Sequence, residues 1–288
     1  MSTTYSTKDL IRIIEHNKAV HSADNLDALI YAAKRNKILL HILRLADINS
    51  KLRQVEEAKL AGIIRLVGEV GRSLQDLEYA FIKLIKPVTY APSDVDILIK
   101  IEDYNRVAKR LRKIGCKPLL IEPYNAIFQK NGINIDIYVH PSIGGRAIYL
   151  DGRKLLDHVG EAVFHGNRIP ALKPYAEIVL VAAHAAYKEM FYTLNDYFTT
   201  KTWIDKKSFK LAEELYITDS LKTSLKLNIS IKKGLTEAPI RLSLHQWLKI
   251  FAKKVATDHT TRGTALKLLK VSGRDVKLFL ERFTRISY

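Results

Sequence analysis

The chain has one cysteine, Cys116, in 288 residues. That excludes an intrachain disulfide and leaves a thiolate zinc site without ligands. It also has no apolar run near the ~20 residues that a membrane-spanning helix needs. The first residues, Met1-Ser2-Thr3-Thr4-Tyr5, lack the apolar core of a signal peptide. Together these shortages predict a cytoplasmic protein in a reducing compartment, with no membrane partner. Acidic residues are scarce too, 30 Asp+Glu against 47 Lys+Arg, for a net charge of +17. No internal repeat and no arginine-rich low-complexity tail is present, so any binding should use a folded surface.

What is present fits a globular protein. The hydrophobic fraction is 47% and the charged fraction 27%, and 288 residues bury a large core in one or two domains. The positive charge is uneven. Residues 201–288 hold 19 Lys+Arg against 8 Asp+Glu. Such an excess favours polyanions, nucleic acid above all. The alternative is a solubilising surplus spread over helices. Lys206, Lys207, Lys232, Lys233, Lys253 and Lys254 are the candidate contacts.

The few acids are informative where they cluster. Pro92-Ser93-Asp94-Val95-Asp96-Ile97-Leu98-Ile99 opens a β-branched run with two carboxylates one residue apart. Side chains alternate along a strand, so Asp94 and Asp96 share a face. Two acids on one face repel unless a cation lies between them, and hard ions such as Mg²⁺ or Mn²⁺ prefer carboxylate oxygen. A third acid, Asp136, stands alone in Ile133-Asn134-Ile135-Asp136-Ile137-Tyr138-Val139, a costly place for an unpaired charge. Three carboxylates converging from two strands, within roughly 4–7 Å, would form a two-metal phosphoryl-transfer site. The alternatives are a solvated pair at a strand edge for Asp94 and Asp96, and an ordinary ion pair for Asp136.

The patterning predicts helices over residues 8–70. Ser22 or Asp24 would cap one carrying Leu26, Leu29, Ile30, Ala33, Leu40 and Leu43. Another starts near Lys51, with Leu52, Val55, Ile63, Leu66 and Val70 in phase. These helices are read as support, without chemistry. Residues 79–140 read as an α/β unit: a strand around Phe81, the acidic strand 95–101, and a helix capped by Asp103 and ended by Gly115. Strands at 117–121 and 124–130 follow. An Asn131-Gly132 hairpin then leads into strand 133–139. Pro141 to Pro170 reads as loop. Pro174 starts a helix with Ile178, Val181, Ala182, Ala185 and Ala186. The remainder is helical by period, through Leu244, Leu248 and Phe251, then Leu266, Leu269 and Val271.

Ser-Asp-Val-Asp before a hydrophobic strand, then a helix, then a lone Asp in a later strand, resembles the polymerase-β-like nucleotidyltransferase superfamily. More narrowly, the chain resembles its uncharacterised nucleotidyltransferase branch over about residues 50 to 200. The strand Tyr79-Ala80-Phe81-Ile82-Lys83-Leu84-Ile85-Lys86 and the Ala-rich helix around His184 add to the likeness. The resemblance implies an α/β (α+β) fold. A palm with a mixed sheet, over 76–170, would lie between an N-terminal helical region, 1–75, and a basic helical C-terminal domain, 171–288.

The resemblance further implies that Asp94 and Asp96 hold metals, with Asp96 bridging. Asp136 would complete the metal beside the attacking hydroxyl and help accept its proton. It implies Mg²⁺-dependent transfer of a nucleoside monophosphate from an NTP to a hydroxyl. The charge points to a nucleic-acid acceptor, an RNA 3′ end or tRNA. A toxin-like modifier of a partner protein uses the same chemistry. Lys83 would touch the triphosphate, and the alternative is a solvated strand lysine. Ser93 would assist or merely shape the turn. His140 would contact substrate or be an ordinary surface histidine. Arg146 would reach a phosphate, and Asp196 would lie near the nucleotide. His184 reads as a packed core histidine. One departure stands out: Leu84-Ile85 occupies the place of the superfamily's Gly-Ser turn, whose backbone receives phosphate. A palm that binds nucleic acid without turnover is the alternative reading.

Overall fold

The computed structural model describes residues 5–16 and 26–266. Four helices come first: α1 (Thr7–His16), α2 (Leu26–Arg35), α3 (Leu39–Leu45) and α4 (Lys51–Leu74). The expected single helix through Leu26 and Leu43 is broken, because Lys37 adopts a left-handed backbone with φ 56°. Ser50 caps α4 by accepting from the Arg53 N–H at 3.2 Å. The cap proposed at Ser22 or Asp24 lies outside the described residues.

The α/β unit follows: β1 (Tyr79–Ile82), β2 (Asp94–Ile99), α5 (Tyr104–Lys113), β3 (Lys117–Ile121), β4 (Asn125–Lys130) and β5 (Ile133–Tyr138). Asn131 and Gly132 both have positive φ, 51° and 78°, as a two-residue hairpin of this twist requires. Asp103 does not cap α5; its carboxylate accepts from Arg106 at 2.8 Å instead.

The stretch from Pro141 to Pro170 is not the loop its composition suggests. It holds a small hairpin, β6 (Ser142–Ile143) with β7 (Ala147–Ile148), then α6 (Gly152–Leu156). Strands β8 (Val159–Phe164) and β9 (Asn167–Leu172) complete it. Their turn, His165-Gly166, has φ 45° and 86°. It makes the same type of hairpin from a dipeptide with a weaker turn signal.

The seven long strands form one mixed sheet in the order β3-β4-β5-β2-β1-β9-β8. The β5–β2 and β1–β9 pairs are parallel and the others antiparallel. One face, with Val95, Ile97, Ile99, Ile135 and Ile137, packs against the apolar sides of α4 and α5. Leu98 and Tyr138 are buried on the opposite face. The cover there begins with α7 (Pro174–Ala183), which continues through a π-helical turn, His184–Glu189. After β10 (Phe191–Tyr192) come α8 (Leu194–Trp203), α9 (Lys206–Glu214) and α10 (Thr218–Lys233). A short β11 (Ile240–Arg241), α11 (Leu244–Thr257) and α12 (His259–Ala265) end the described chain.

In α11 the inward positions are Trp247 and Lys254, while Leu244 and Leu248 are exposed. Leu269 and Val271 lie outside the described residues. The N-terminal helices do not simply back the sheet. Leu29, Ile38, Leu39 and Ile42 share a core with Leu194, Tyr197 and Phe198 of α8 and Ile231 of α10. The N-terminal helices and the α8–α10 region thereby share one core. No helix among the described residues is long and apolar enough to cross a membrane.

Candidate active site

Parity and register build the centre of the site. Asp94, Asp96 and Leu98 alternate with Val95, Ile97 and Ile99, which fill the α4–α5 side. Parallel pairing sets Asp96 opposite Asp136 and Asp94 opposite Asn134. Three strand carboxylates therefore meet on one face. One oxygen from each of Asp94, Asp96 and Asp136 lies within 4.8 Å of the others.

Burial makes this meeting expensive, and the electrostatics show it. Burial raises the Asp96 pKa to about 7, helped by Asp94 and Asp136 and opposed by Lys83. Asp136 is pushed up as well, first by burial and then by Asp94. Lys83 is the local counter-charge: its Nζ lies 2.8 Å from Asp96 Oδ1. That ion pair is the contact that compensates the buried Asp96 carboxylate. Burial works against the Lys83 charge, yet Asp96 and Asp94 outweigh it and raise its pKa. Ser93 Oγ donates to Asp94 Oδ1 at 3.1 Å.

A second chain of contacts reaches Asp136. Lys188 Nζ donates to the Tyr138 hydroxyl at 3.0 Å, and that hydroxyl donates to Asp136 Oδ2 at 3.2 Å. Lys83 and Lys188 each lie 5.1 Å from the centre of the Tyr138 ring. Burial lowers the Lys188 pKa, and Lys83 adds to that. The π-helical turn brings Lys188 here, and such turns recur at functional sites.

Asp94 and Asp96 line a cleft of about 560 Å³, and Asp136 lies beside them just behind its wall. Six lysines line it: Lys34, Lys37, Lys59, Lys83, Lys86 and Lys188. Three of these come from the N-terminal helices and their turns, which the sequence suggested were support alone. Lys86 is held by buried Glu177 at 2.9 Å. His184 lines the cleft with its Nδ1 3.2 Å from the Tyr149 hydroxyl and its Nε2 3.4 Å from Glu189 Oε1. Burial, reinforced by Lys83, drops its pKa well below the usual value.

Other candidates fall differently. Asp196 lines the cleft, but its carboxylate also closes the capping box of α8 with Thr193. His140 is not among the lining residues; its Nδ1 accepts from the Gly152 N–H at 3.0 Å, a structural contact. Arg146, beside the β6–β7 turn, is not among them either. Tyr138 was accessible to the sequence argument, since it shares strand parity with Asp136. Lys37 and Lys188 were not, because nothing local marks them.

An all-carboxylate donor set suits a hard divalent cation. One ion at ~2.1 Å keeps its ligands within ~4.2 Å, and two ions ~3.5–4 Å apart relax that limit. A spread of up to 4.8 Å exceeds the single-ion limit and suits a two-ion arrangement. Asp94, Asp96 and Asp136 are the residues that could hold it.

No curated protein sequence matches the chain. Among solved structures, ANT(2″)-Ia in complex with adenylyl-2″-tobramycin is 11% identical, covering 61% of this chain and 99% of that one, with a TM-score of 0.34. The lincosamide antibiotic adenylyltransferase LnuA, lincomycin-bound, is 18% identical over 50% of this chain and 94% of that one, TM-score 0.34. An antigenic nucleotidyltransferase-like protein from Paracoccidioides brasiliensis is 11% identical over 68% and 94%, TM-score 0.33. Scores this low carry no argument about the fold or the acceptor. The family match is of another kind: residues 91–202 fit the model described as "Uncharacterised nucleotidyltransferase". That segment contains Asp94, Asp96 and Asp136 together with the π-helical turn, so the part of the chain that carries the candidate site matches a nucleotidyltransferase family.

Proposed function

We propose that this nucleotidyltransferase moves a nucleoside monophosphate from an NTP to a hydroxyl on a nucleic acid, an RNA 3′ end or a tRNA, using Mg²⁺ or Mn²⁺. The observation that carries the reading is the meeting of Asp94, Asp96 and Asp136, with the first two lining a lysine-rich cleft. A bound divalent cation supplies the charge that stabilises a developing phosphoryl transition state and aligns the reacting oxygens.

The chain's own residues do the rest. The acceptor oxygen forms a bond to the α-phosphorus while the bond to the β-phosphate oxygen breaks, releasing pyrophosphate. The acceptor's proton goes to the Asp136 carboxylate, whose pKa is raised by burial and Asp94, toward the range useful for a base. Tyr138 and Lys188 orient that carboxylate. Lys83, 2.8 Å from Asp96, holds the acid in place before a cation binds and stands within the cleft to meet phosphate afterwards. Ser93 fixes the rotamer of Asp94. The acceptor assignment is supported by the net charge of +17. A cytoplasmic setting accords with the single buried cysteine.

The test is incubation with each labelled NTP, Mg²⁺ or Mn²⁺ and total cellular RNA. Label in RNA that disappears with Asp94→Asn and Asp96→Asn supports the reading. Transfer to protein or small hydroxyl compounds alone would replace the acceptor. Transfer that survives the double variant would sink the acidic site.

A further inference from the structure

The Asn36-Lys37 turn between α2 and α3 is held more firmly than a helix connection needs. Asn36 is buried and its side chain is fully used. Its Nδ2 donates to the carbonyls of Ala32 at 3.0 Å and Ala238 at 3.1 Å, and its Oδ1 accepts from the Leu194 N–H at 3.1 Å. Its carbonyl accepts from the Asn195 N–H at 3.2 Å. The Lys37 carbonyl accepts from Asn195 Nδ2 at 3.1 Å. Segments about 160 and 200 residues away thus clamp a two-residue turn.

The clamp holds Lys37 at φ 56°. That region favours glycine, and a lysine there costs free energy that glycine would avoid. The turn also ends α2 in the usual way, with the Lys37 N–H bonded to the Lys34 carbonyl and the Ile38 N–H to the Ala33 carbonyl, both at 3.1 Å. Lys37 lines the acidic cleft; burial lowers its pKa, while Asp196, Glu189 and Asp94 favour its charge.

The reaction needs something here. A nucleoside triphosphate carries its charge into a cleft lined by Asp94 and Asp96, with Asp136 beside them. Leu84-Ile85 stands where a glycine turn would offer backbone N–H groups. We propose that Lys37, presented by the Asn36–Asn195 clamp and flanked by Lys34 and Lys59, binds the β- and γ-phosphates of the NTP, so that the N-terminal helices complete the triphosphate site. This rests on the nucleotidyltransferase reading of the same cleft.

The test is calorimetry of Mg²⁺–NTP and of inorganic tripolyphosphate with the full chain, its Lys37→Gly and Lys37→Arg variants, and Lys37→Gln as a second neutral replacement. Glycine relieves the strained turn, so Lys37→Gly should melt at or above the parent temperature. Both ligands should bind it roughly tenfold more weakly or worse, the size expected for one lost charge-assisted contact. Lys37→Gln should weaken likewise, and Lys37→Arg should retain most of the affinity. Equal affinity in the glycine and glutamine variants would overturn the phosphate role while leaving the nucleotidyltransferase reading intact. A parent chain that binds none of the four NTPs would remove both.

Discussion

Lys83 Nζ sits 2.8 Å from Asp96 Oδ1, with both side chains largely buried. The lysine offsets one carboxylate of three, and burial resists charge on both Asp96 and Asp136. Burial and the neighbouring acids raise the Asp96 pKa to about 7, from an ordinary 3.8. Between those values the folded protein holds a proton that the unfolded chain releases. The Asp96 contribution to stability is therefore present below about pH 4 and is lost as pH rises toward about 7. His184, whose pKa burial depresses, acts oppositely below its unfolded value of 6.5. A comparison with Asp96→Asn isolates the acid. In EDTA, the melting temperature of the parent minus that of Asp96→Asn should fall as pH rises from 5 to 8. A flat difference would show that Asp96 is not held under this strain.

Asp94 is the acid whose removal should stabilise most. It raises the pKa of both Asp96 and Asp136, while Asp96 has its lysine and Asp136 its tyrosine. Without cation at pH 8, Asp94→Asn should raise stability by about 1 kcal/mol, or about 2–4 °C in a domain of this size. Asp96→Asn should gain less, because it strips Lys83 of its partner. Both should abolish transfer. A fall of several degrees in Asp94→Asn would mark that acid as a structural partner instead.

Lys83→Met separates the two roles of the lysine. It leaves Asp96 buried without its nearest counter-charge, a loss of about 2–4 kcal/mol at pH 8, smaller at pH 5 where Asp96 is protonated. The rise in melting temperature on adding Mg²⁺ should be larger than in the parent, since the ammonium no longer competes for the carboxylate. Nucleotide affinity should fall. An unchanged Mg²⁺ response would show that Lys83 and the cation occupy separate places.

The sequence carried five of the seven strands, and the acids on them, because both follow from short-range rules. Alternation put Asp94 and Asp96 on one face, and Asn131-Gly132 fixed the hairpin before Asp136. Parallel pairing of β2 with β5 is a long-range choice, yet only the register seen here sets Asp96 against Asp136. The His165-Gly166 hairpin was missed because histidine seldom signals a left-handed turn. The break at Lys37 was missed because Asn36 earns its partners from Leu194, Asn195 and Ala238, which no local window contains. The lysines of the cleft were invisible for the same reason: α2, α4 and the π-helical turn meet only after the N-terminal helices pack on α8 and α10.

The basic surplus after residue 200 can be tested with a shorter set of lysines than the sequence offered. Lys254 is buried, with its Nζ 2.6 Å from Asp258 Oδ2, and serves the interior of the fold. Lys253 is engaged by Asp219 at 2.7 Å. Lys206 and Lys207 at the start of α9, and Lys232 and Lys233 at the end of α10, are exposed. If nucleic acid is the acceptor, these four are the surface that holds its backbone. Binding to RNA should weaken steeply between 50 and 200 mM salt, because each neutralised phosphate releases about 0.7 of a counterion on single strands. Changing all four lysines to Glu should flatten that salt slope and weaken binding. Nucleotide affinity should stay the same, since none of the four lines the acidic cleft. Binding that is absent at low salt, or indifferent to the four changes, would turn the search for an acceptor toward small hydroxyl compounds or a partner protein.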